Sequence, residues 1–157
     1  MTPAEAVDLL GKIKFFAGLP AAYLRRIADI GTEEEHKGAT TVFQEGDKGD
    51  KFYLIIDGAV RISRMVPGMG EEALAILDPG AAFGEMAVVE EGLRSADALA
   101  HEGEAVLLRI GRDPLDQLLF TDKELAYSVL WALVRTLSAR LRDTNEKMKA
   151  LFAMSKF

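Results

Sequence analysis

Six short runs with β-forming composition follow one another through the middle of the chain: Thr40–Phe43, Lys51–Ile56, Ala59–Met65, Glu72–Leu77, Ser95–Ala100 and Ala105–Ile110. Turn chemistry separates them at Glu45–Asp50, Asp57-Gly58, Pro67–Gly70, Asp78-Pro79-Gly80 and Glu102-Gly103-Glu104. Asp57-Gly58 reads as a tight hairpin, because glycine supplies the positive φ that such a turn needs. Strands this short and this closely spaced predict an antiparallel roll or barrel rather than alternating βαβ units.

Helical signals flank the strands. Thr2-Pro3-Ala4-Glu5 is a capping box with proline at the first helical position, and it opens a helix through about Ile13. Phe15–Pro20 is a hydrophobic turn. Pro20 opens a second helix with Leu24, Ile27, Ala28 and Ile30 at helical spacing, closed by Gly31. Helix returns at Asp113-Pro114, and Thr121–Glu124 is a further capping box ahead of a stretch without proline or glycine to about Phe152. Leu130, Val134, Leu137, Leu141, Thr144, Met148 and Leu151 alternate steps of four and three along it. That is a heptad seam, which predicts pairing with an identical helix, whereas a single amphipathic face packed on the roll is the simpler alternative. Thr144 is polar in an otherwise apolar stripe, with Asn145 beside it. The class is therefore α+β and a single domain over residues 1–157: helices at 1–36, a roll at 37–112, helices at 113–157.

Charge and residue usage remove several function classes. Lys and Arg total 19 against 25 Asp and Glu, a net charge of −6 with no basic face before the last twenty residues, which argues against direct nucleic-acid binding. The absence of cysteine excludes disulfides, thiolate zinc sites and cysteine nucleophiles, and suits a reducing cytoplasm, the expected location. The N-terminus lacks a signal-peptide pattern, and no run of apolar residues is long enough to span a membrane. His36 and His101 lie in polar loop sequence, form no close-spaced ligand set and read as solvent-facing, so no metal is expected. Trp131 reads as a packing residue.

Phe83-Gly84-Glu85-Met86-Ala87 and Arg94-Ser95-Ala96 bracket a short apolar run and a glycine. Gly84 precedes a short helical run from Glu85 to about Val89, whose N-terminal N–H groups suit an anion, and Gly92 is its stop. Arg94 offers a planar fork for two phosphate oxygens. Glu85 would repel that phosphate unless it faced another part of the ligand, such as a sugar hydroxyl. Phosphate at one end and a hydroxyl at the other describes a nucleotide. The bland alternative stands beside it: Glu85 as a first-turn acid and Arg94 as its exposed partner, a pair contributing under about 1 kcal/mol.

These residues resemble the phosphate-binding cassette of cyclic nucleotide-binding domains, the family of catabolite activator proteins, protein kinase A regulatory subunits and nucleotide-gated channels. Phe15–Pro20 resembles the family's N-terminal helical motif. Val42–Asp47, Gly49-Asp50, Phe52–Ile55 and Gly58 resemble its early strands and turns. The resemblance implies a double-stranded β-helix, or jelly roll, with a long C-terminal dimerisation helix. It implies that Glu85 accepts from the ribose 2′-hydroxyl and that Arg94 neutralises the cyclic phosphate. Backbone amides near Gly84, Met86 and Ala96, with the Ser95 hydroxyl, complete the cradle, and Phe83 and Ala87 belong to the same cassette. Ser138–Lys147 resembles the activator's dimer helix, which puts Thr144 and Asn145 at positions that contact adenine, one of them from the partner subunit. Leu93 replaces the proline common before the cassette arginine. Glu90 and Glu91 would weaken anion affinity if they faced inward.

The expected activity is non-enzymatic: a cyclic AMP receptor, homodimeric through its last helix, which ligand repositions and which acts on an unidentified downstream protein. Ser95 is compatible with a syn purine, which keeps cyclic GMP open. A helix-turn-helix would follow the long helix in the activator, and the sequence stops at Phe157, so no output domain and no DNA contact are expected. The same fold serving only as a protein-interaction module is the alternative. A cupin-type metalloenzyme would carry several histidines at strand spacing, and the sequence has 2.

Overall fold

The computed structural model describes residues 2–13, 16–85 and 90–155. α1 (Pro3–Lys12) begins with the expected reciprocal cap: Glu5 N donates to Thr2 Oγ1 at 3.2 Å, and Thr2 N donates to Glu5 Oε2 at 2.8 Å. α2 (Ala21–Ile30) follows from Pro20 and buries Leu24 and Ile27.

Among the described residues eight strands form the roll: β1 (Gly31–His36), β2 (Thr41–Phe43), β3 (Lys51–Asp57), β4 (Val60–Val66), β5 (Gly70–Leu77), β6 (Ala82–Phe83), β7 (Asp97–Ala100) and β8 (Ala105–Gly111). They make two antiparallel four-stranded sheets, ordered β1-β8-β3-β6 and β2-β7-β4-β5. The antiparallel roll of the sequence reading is present, and most strand limits fall within two residues of those expected.

Two expectations about the roll are corrected, with others below. The first is the division at residue 36, because residues 31–36 are strand and not part of the helical segment. Three consecutive glutamates hide β1 from any propensity argument, and its pairing with β8 decides instead, in unbroken register from Gly31↔Ile110 to His36↔Ala105. Gly31 permits close approach there, since a Cβ would stand 2.7 Å from Leu108 Cδ1. The second is Asp57-Gly58, which closes no hairpin: β3 and β4 lie in different sheets, and the turn carries the chain from one to the other. Gly58 is needed at φ 78° and because a Cβ would lie 2.3 Å from Glu104 O. The tight hairpin is β4–β5, closed by Val66↔Gly70.

β3 is covered on both sides, which accounts for its unbroken apolar run. Tyr53 and Ile55 point between the sheets with Val60, Phe83 and Leu107, while Phe52 and Leu54 point to the helical layer with Leu10, Phe16, Ile27 and Leu125.

α3 (Arg112–Thr121) starts one residue before the expected cap, with Gly111 at the N-cap position and Asp113 inside the first turn. α4 (Lys123–Ser155) is capped by Asp122 rather than by Thr121: Leu125 N donates to Asp122 Oδ1 at 3.1 Å, and Thr121 Oγ1 donates back to Gln117 O at 3.0 Å. The first half of α4 buries Leu125, Val129 and Leu133. From Leu141 to Ala150 every residue is exposed, so the second half of the heptad stripe leaves the body of the domain. Trp131 is a correction, being half-exposed rather than packed, edge-on to Tyr127. So are the histidines. His36 Nε2 lies 3.0 Å from Glu34, and Arg61 Nη1 donates to His101 Nδ1 at 3.1 Å, with both rings mostly covered. Among the described residues no helix is long and apolar enough to cross a membrane.

Candidate functional site

The site is assembled from two short segments, each fixed by backbone bonds. One is the end of β6, where Phe83 pairs with Tyr53 of β3 and stacks on its ring at 5.1 Å. The chain then turns at Gly84, φ 74°, into Glu85, which is 2% exposed. The other segment, 92–94, is pinned to the turn after β2. Arg94 N donates to Asp47 O at 2.7 Å, Gly46 N to Arg94 O at 2.9 Å, and Gly49 N to Gly92 O at 3.1 Å. Residues that the sequence marked only as a turn thus hold the arginine in place.

The Arg94 guanidinium lies between these segments, on the Phe43 ring at 4.1 Å from its centroid. Nη2 donates to Lys51 O at 2.6 Å and Nη1 to Gly84 O at 3.2 Å. Nε is buried with no acceptor among the described residues, and no carboxylate pairs with the group there. Burial lowers its pKa from the ordinary arginine value, against the opposing influence of Tyr53, Asp50, Asp47 and Glu85. A guanidinium stays protonated even so. Among the described residues this buried cation donates its hydrogen bonds to carbonyls only, an arrangement that favours an incoming anion. Two glycines make room for it: a Cβ on Gly84 would lie 2.8 Å from Arg94 Nη1, and one on Gly49 would lie 3.4 Å from Arg94 Cζ.

Glu85 and Arg94 are therefore not each other's partner, and the bland alternative of an exposed pair is overturned. Glu85 instead forms an ion pair with Arg140 of α4, across 55 positions of sequence. Beside these groups is a cavity of about 450 Å³, in the size range of small-molecule sites. Phe43, Ile62 and Phe83 give it an apolar wall, and Gly84, Glu85, Arg94 and Arg140 a polar one. Glu90 and Glu91 also line it, so the acids suspected of facing inward do reach the cavity, and Glu91 lies 3.9 Å from Arg112.

Of the expected site residues, Phe83, Gly84, Glu85, Arg94, Ser95 and Ala96 all line this cavity. Met86 and Ala87, with the helical run to Val89, lie outside the described residues. Thr144 and Asn145 are exposed and do not line the cavity of the single chain, and Thr144 Oγ1 donates to Arg140 O at 2.9 Å. Phe43, Gly49, Ile62 and Arg140 were given no role from sequence. Arg140 carries a faint signal, since it precedes Thr144 by one helical turn. No group of three or more His, Asp or Glu able to hold a metal occurs among the described residues.

Comparison with known proteins agrees with this geometry. Residues 33–122, more than half of the chain, match the family model described as the cyclic nucleotide-binding domain. The chain is 27% identical over 117 residues to the cGMP-dependent protein kinase egl-4 of Caenorhabditis briggsae, covering 74% of this chain and 16% of that protein. It is 30% identical over 148 residues to the CRP-like cAMP-activated global transcriptional regulator of Mycobacterium tuberculosis, covering 92% of this chain and 62% of that one. The chain thus spans less than two thirds of either curated relative. A crystal structure of a cyclic nucleotide-binding domain from Methylobacillus flagellatus superposes with a TM-score of 0.82 at 28% identity, covering 94% of this chain and 83% of that one. The cradled arginine, the buried acid facing the same cavity and a family match across the whole roll lead to one conclusion: the chain belongs to the cyclic nucleotide-binding domain family.

Proposed function

We propose that this chain is a receptor module for cyclic AMP, that Arg94 and Glu85 hold the two ends of the nucleotide, and that binding repositions α4. The observation that carries the reading is the Arg94 guanidinium, buried, free of any carboxylate partner among the described residues and with its Nε unengaged, beside a cavity of about 450 Å³. A cyclic phosphate supplies the counter-charge, with Ser95 and the amides of Gly84, Met86 and Ala96 around it. Glu85 accepts from the ribose 2′-hydroxyl, and the purine lies toward the apolar wall and α4. Thr144 and Asn145 contact it once two copies pair through the exposed stripe of Leu130, Val134, Leu141 and Met148.

The Glu85–Arg140 ion pair supports the coupling. A ribose hydroxyl that approaches Glu85 must share or displace Arg140, and Arg140 is part of α4. Ligand affinity then depends on where α4 lies, and only such differential affinity can move the helix. Catalysis has no part in this reading, and the downstream partner is a protein.

Titration calorimetry with cyclic AMP and cyclic GMP tests it. Cyclic AMP is expected to bind, Arg94→Ala to abolish the signal, and Arg94→Lys to weaken it by about tenfold or more through loss of the fork. Saturating nucleotide is expected to change hydrogen exchange across 141–151. Binding without any change there refutes the switch, and no heat with either nucleotide refutes the receptor in favour of a protein-interaction module.

A further inference from the structure

Phe43 reaches the cavity through an irregularity in β2. Thr41 is exposed opposite Leu99, and in a regular strand the residue two positions on would share its face. The register shifts between Thr41 and Phe43, so that Phe43 stands opposite Ala98, which is wholly buried between the sheets. β2 is an edge strand, and a shift of this kind at a sheet edge re-aims one side chain. Here it turns the Phe43 ring inward. Tyr53 and Phe83 flank the ring at 6.1 and 6.0 Å between centroids, and the Arg94 guanidinium lies on it at 4.1 Å.

The ring resolves a conflict at this site. A buried guanidinium needs compensation for its charge. A carboxylate in the plane of the fork would supply it, but would occupy the N–H groups that a phosphate has to reach. An aromatic face compensates from above the plane and consumes no N–H. Acids are at hand: Asp50, Asp47 and Glu85 are close enough to act on the Arg94 charge. Two of them are engaged elsewhere, Glu85 with Arg140 and the Asp47 carboxylate with Gln44 N at 2.9 Å. The segment that carries Phe43 also fixes the arginine's backbone, through Gly46 N and Asp47 O. Ring and turn thus grip one residue from the same stretch of chain.

We propose that Phe43 is the positioning residue of the phosphate site, its ring holding the Arg94 guanidinium in one plane with the N–H edge left open to an anion. The role rests on Arg94 receiving the cyclic phosphate, as proposed above. Without the ring, the guanidinium turns to Asp47 or Asp50, and a phosphate must first displace it.

One measurement with nucleotide and one without test this on the full 157-residue chain. Phe43→Leu keeps an apolar side chain of moderate bulk. Trifluorophenylalanine introduced at position 43 keeps the ring and its packing while withdrawing the negative charge of its face. By titration calorimetry, cyclic AMP is expected to bind about tenfold more weakly to Phe43→Leu and about threefold more weakly to the fluorinated chain. Without nucleotide, Phe43→Leu is expected to lower the unfolding midpoint by about 3 °C more in the parent than in an Arg94→Gln background, because only the parent has a charge for the ring to carry. Equal losses in the two backgrounds overturn the role. So does unchanged or tighter binding by Phe43→Leu, or a fluorinated chain that binds as the parent does, since the ring then serves packing alone. Where the parent binds neither cyclic AMP nor cyclic GMP, it is the receptor reading that fails, and the comparison of unfolding midpoints decides whether the ring carries the cation.

Discussion

Gly84→Ala separates two consequences of one added methyl group. The first is conformational: at φ 74° an L-residue costs about 1–2 kcal/mol. The second is steric, because the new Cβ would stand 2.8 Å from Arg94 Nη1 and 3.4 Å from Lys51 O. The carbonyl belongs to β3 and cannot yield, so the guanidinium must withdraw and its 3.2 Å bond to Gly84 O is lost. A charge-assisted bond contributes about 1.5–3 kcal/mol, so the displaced arginine is expected to weaken cyclic nucleotide binding by roughly 10- to 100-fold. Gly68→Ala is the control. Gly68 has φ 79°, and a methyl group added there would meet nothing within 4 Å, so it carries the strain without the clash. Thermal unfolding is expected to fall by about 2–8 °C for Gly68→Ala and by at least as much for Gly84→Ala. Calorimetry then decides: Gly68→Ala binds as the parent does and Gly84→Ala does not. Equal binding by the two variants refutes the claim that Gly84 exists to admit the guanidinium.

Gly58→Ala meets Glu104 O at 2.3 Å as well as unfavourable φ, and is expected to cost about 3 kcal/mol or more, read as a fall in denaturation midpoint. Burial raises the Tyr53 phenol above its ordinary pKa near 10, so the folded state favours the protonated ring. That contribution is complete below about pH 10 and is lost as pH rises through the folded value, so chemical denaturation at pH 8 and 11 is expected to show a smaller loss for Tyr53→Phe than for the parent. If two chains pair along the exposed stripe as proposed, Leu141→Glu, which places a charge there, is expected to leave the melting of the single chain unchanged and to abolish the self-association read by sedimentation.

What the sequence made legible was local. β3 could be placed because its apolar run is unbroken, whereas the two ends of the cassette were proposed from their resemblance to the family's cassette, since their chemistry alone left an exposed ion pair equally open. β1 was missed because Glu33, Glu34 and Glu35 speak against a strand until β8 supplies the pairing. Asp57-Gly58 was misjudged because a dipeptide specifies a turn but not the sheet the chain enters next. Arg140 was passed over for a related reason: its partner is 55 residues away, and the one signal near it, Thr144 a helical turn on, does not point to Glu85. Whether Glu85 and Arg94 pair with one another was likewise a question of distance through space, and the Gly84 turn, which sends them to different partners, answers it.

On the proposed switch, the half of α4 that projects beyond the roll would serve as a lever. From Arg140 to Ser155 the helix extends about 22 Å past its last tie to the cassette. A tilt of about 10° at that tie sweeps the far end through about 4 Å, close to the width of a side chain. On that reading, an adjustment at Glu85 too small to disturb the sheets would be amplified, at the free end, to a size another molecule can distinguish.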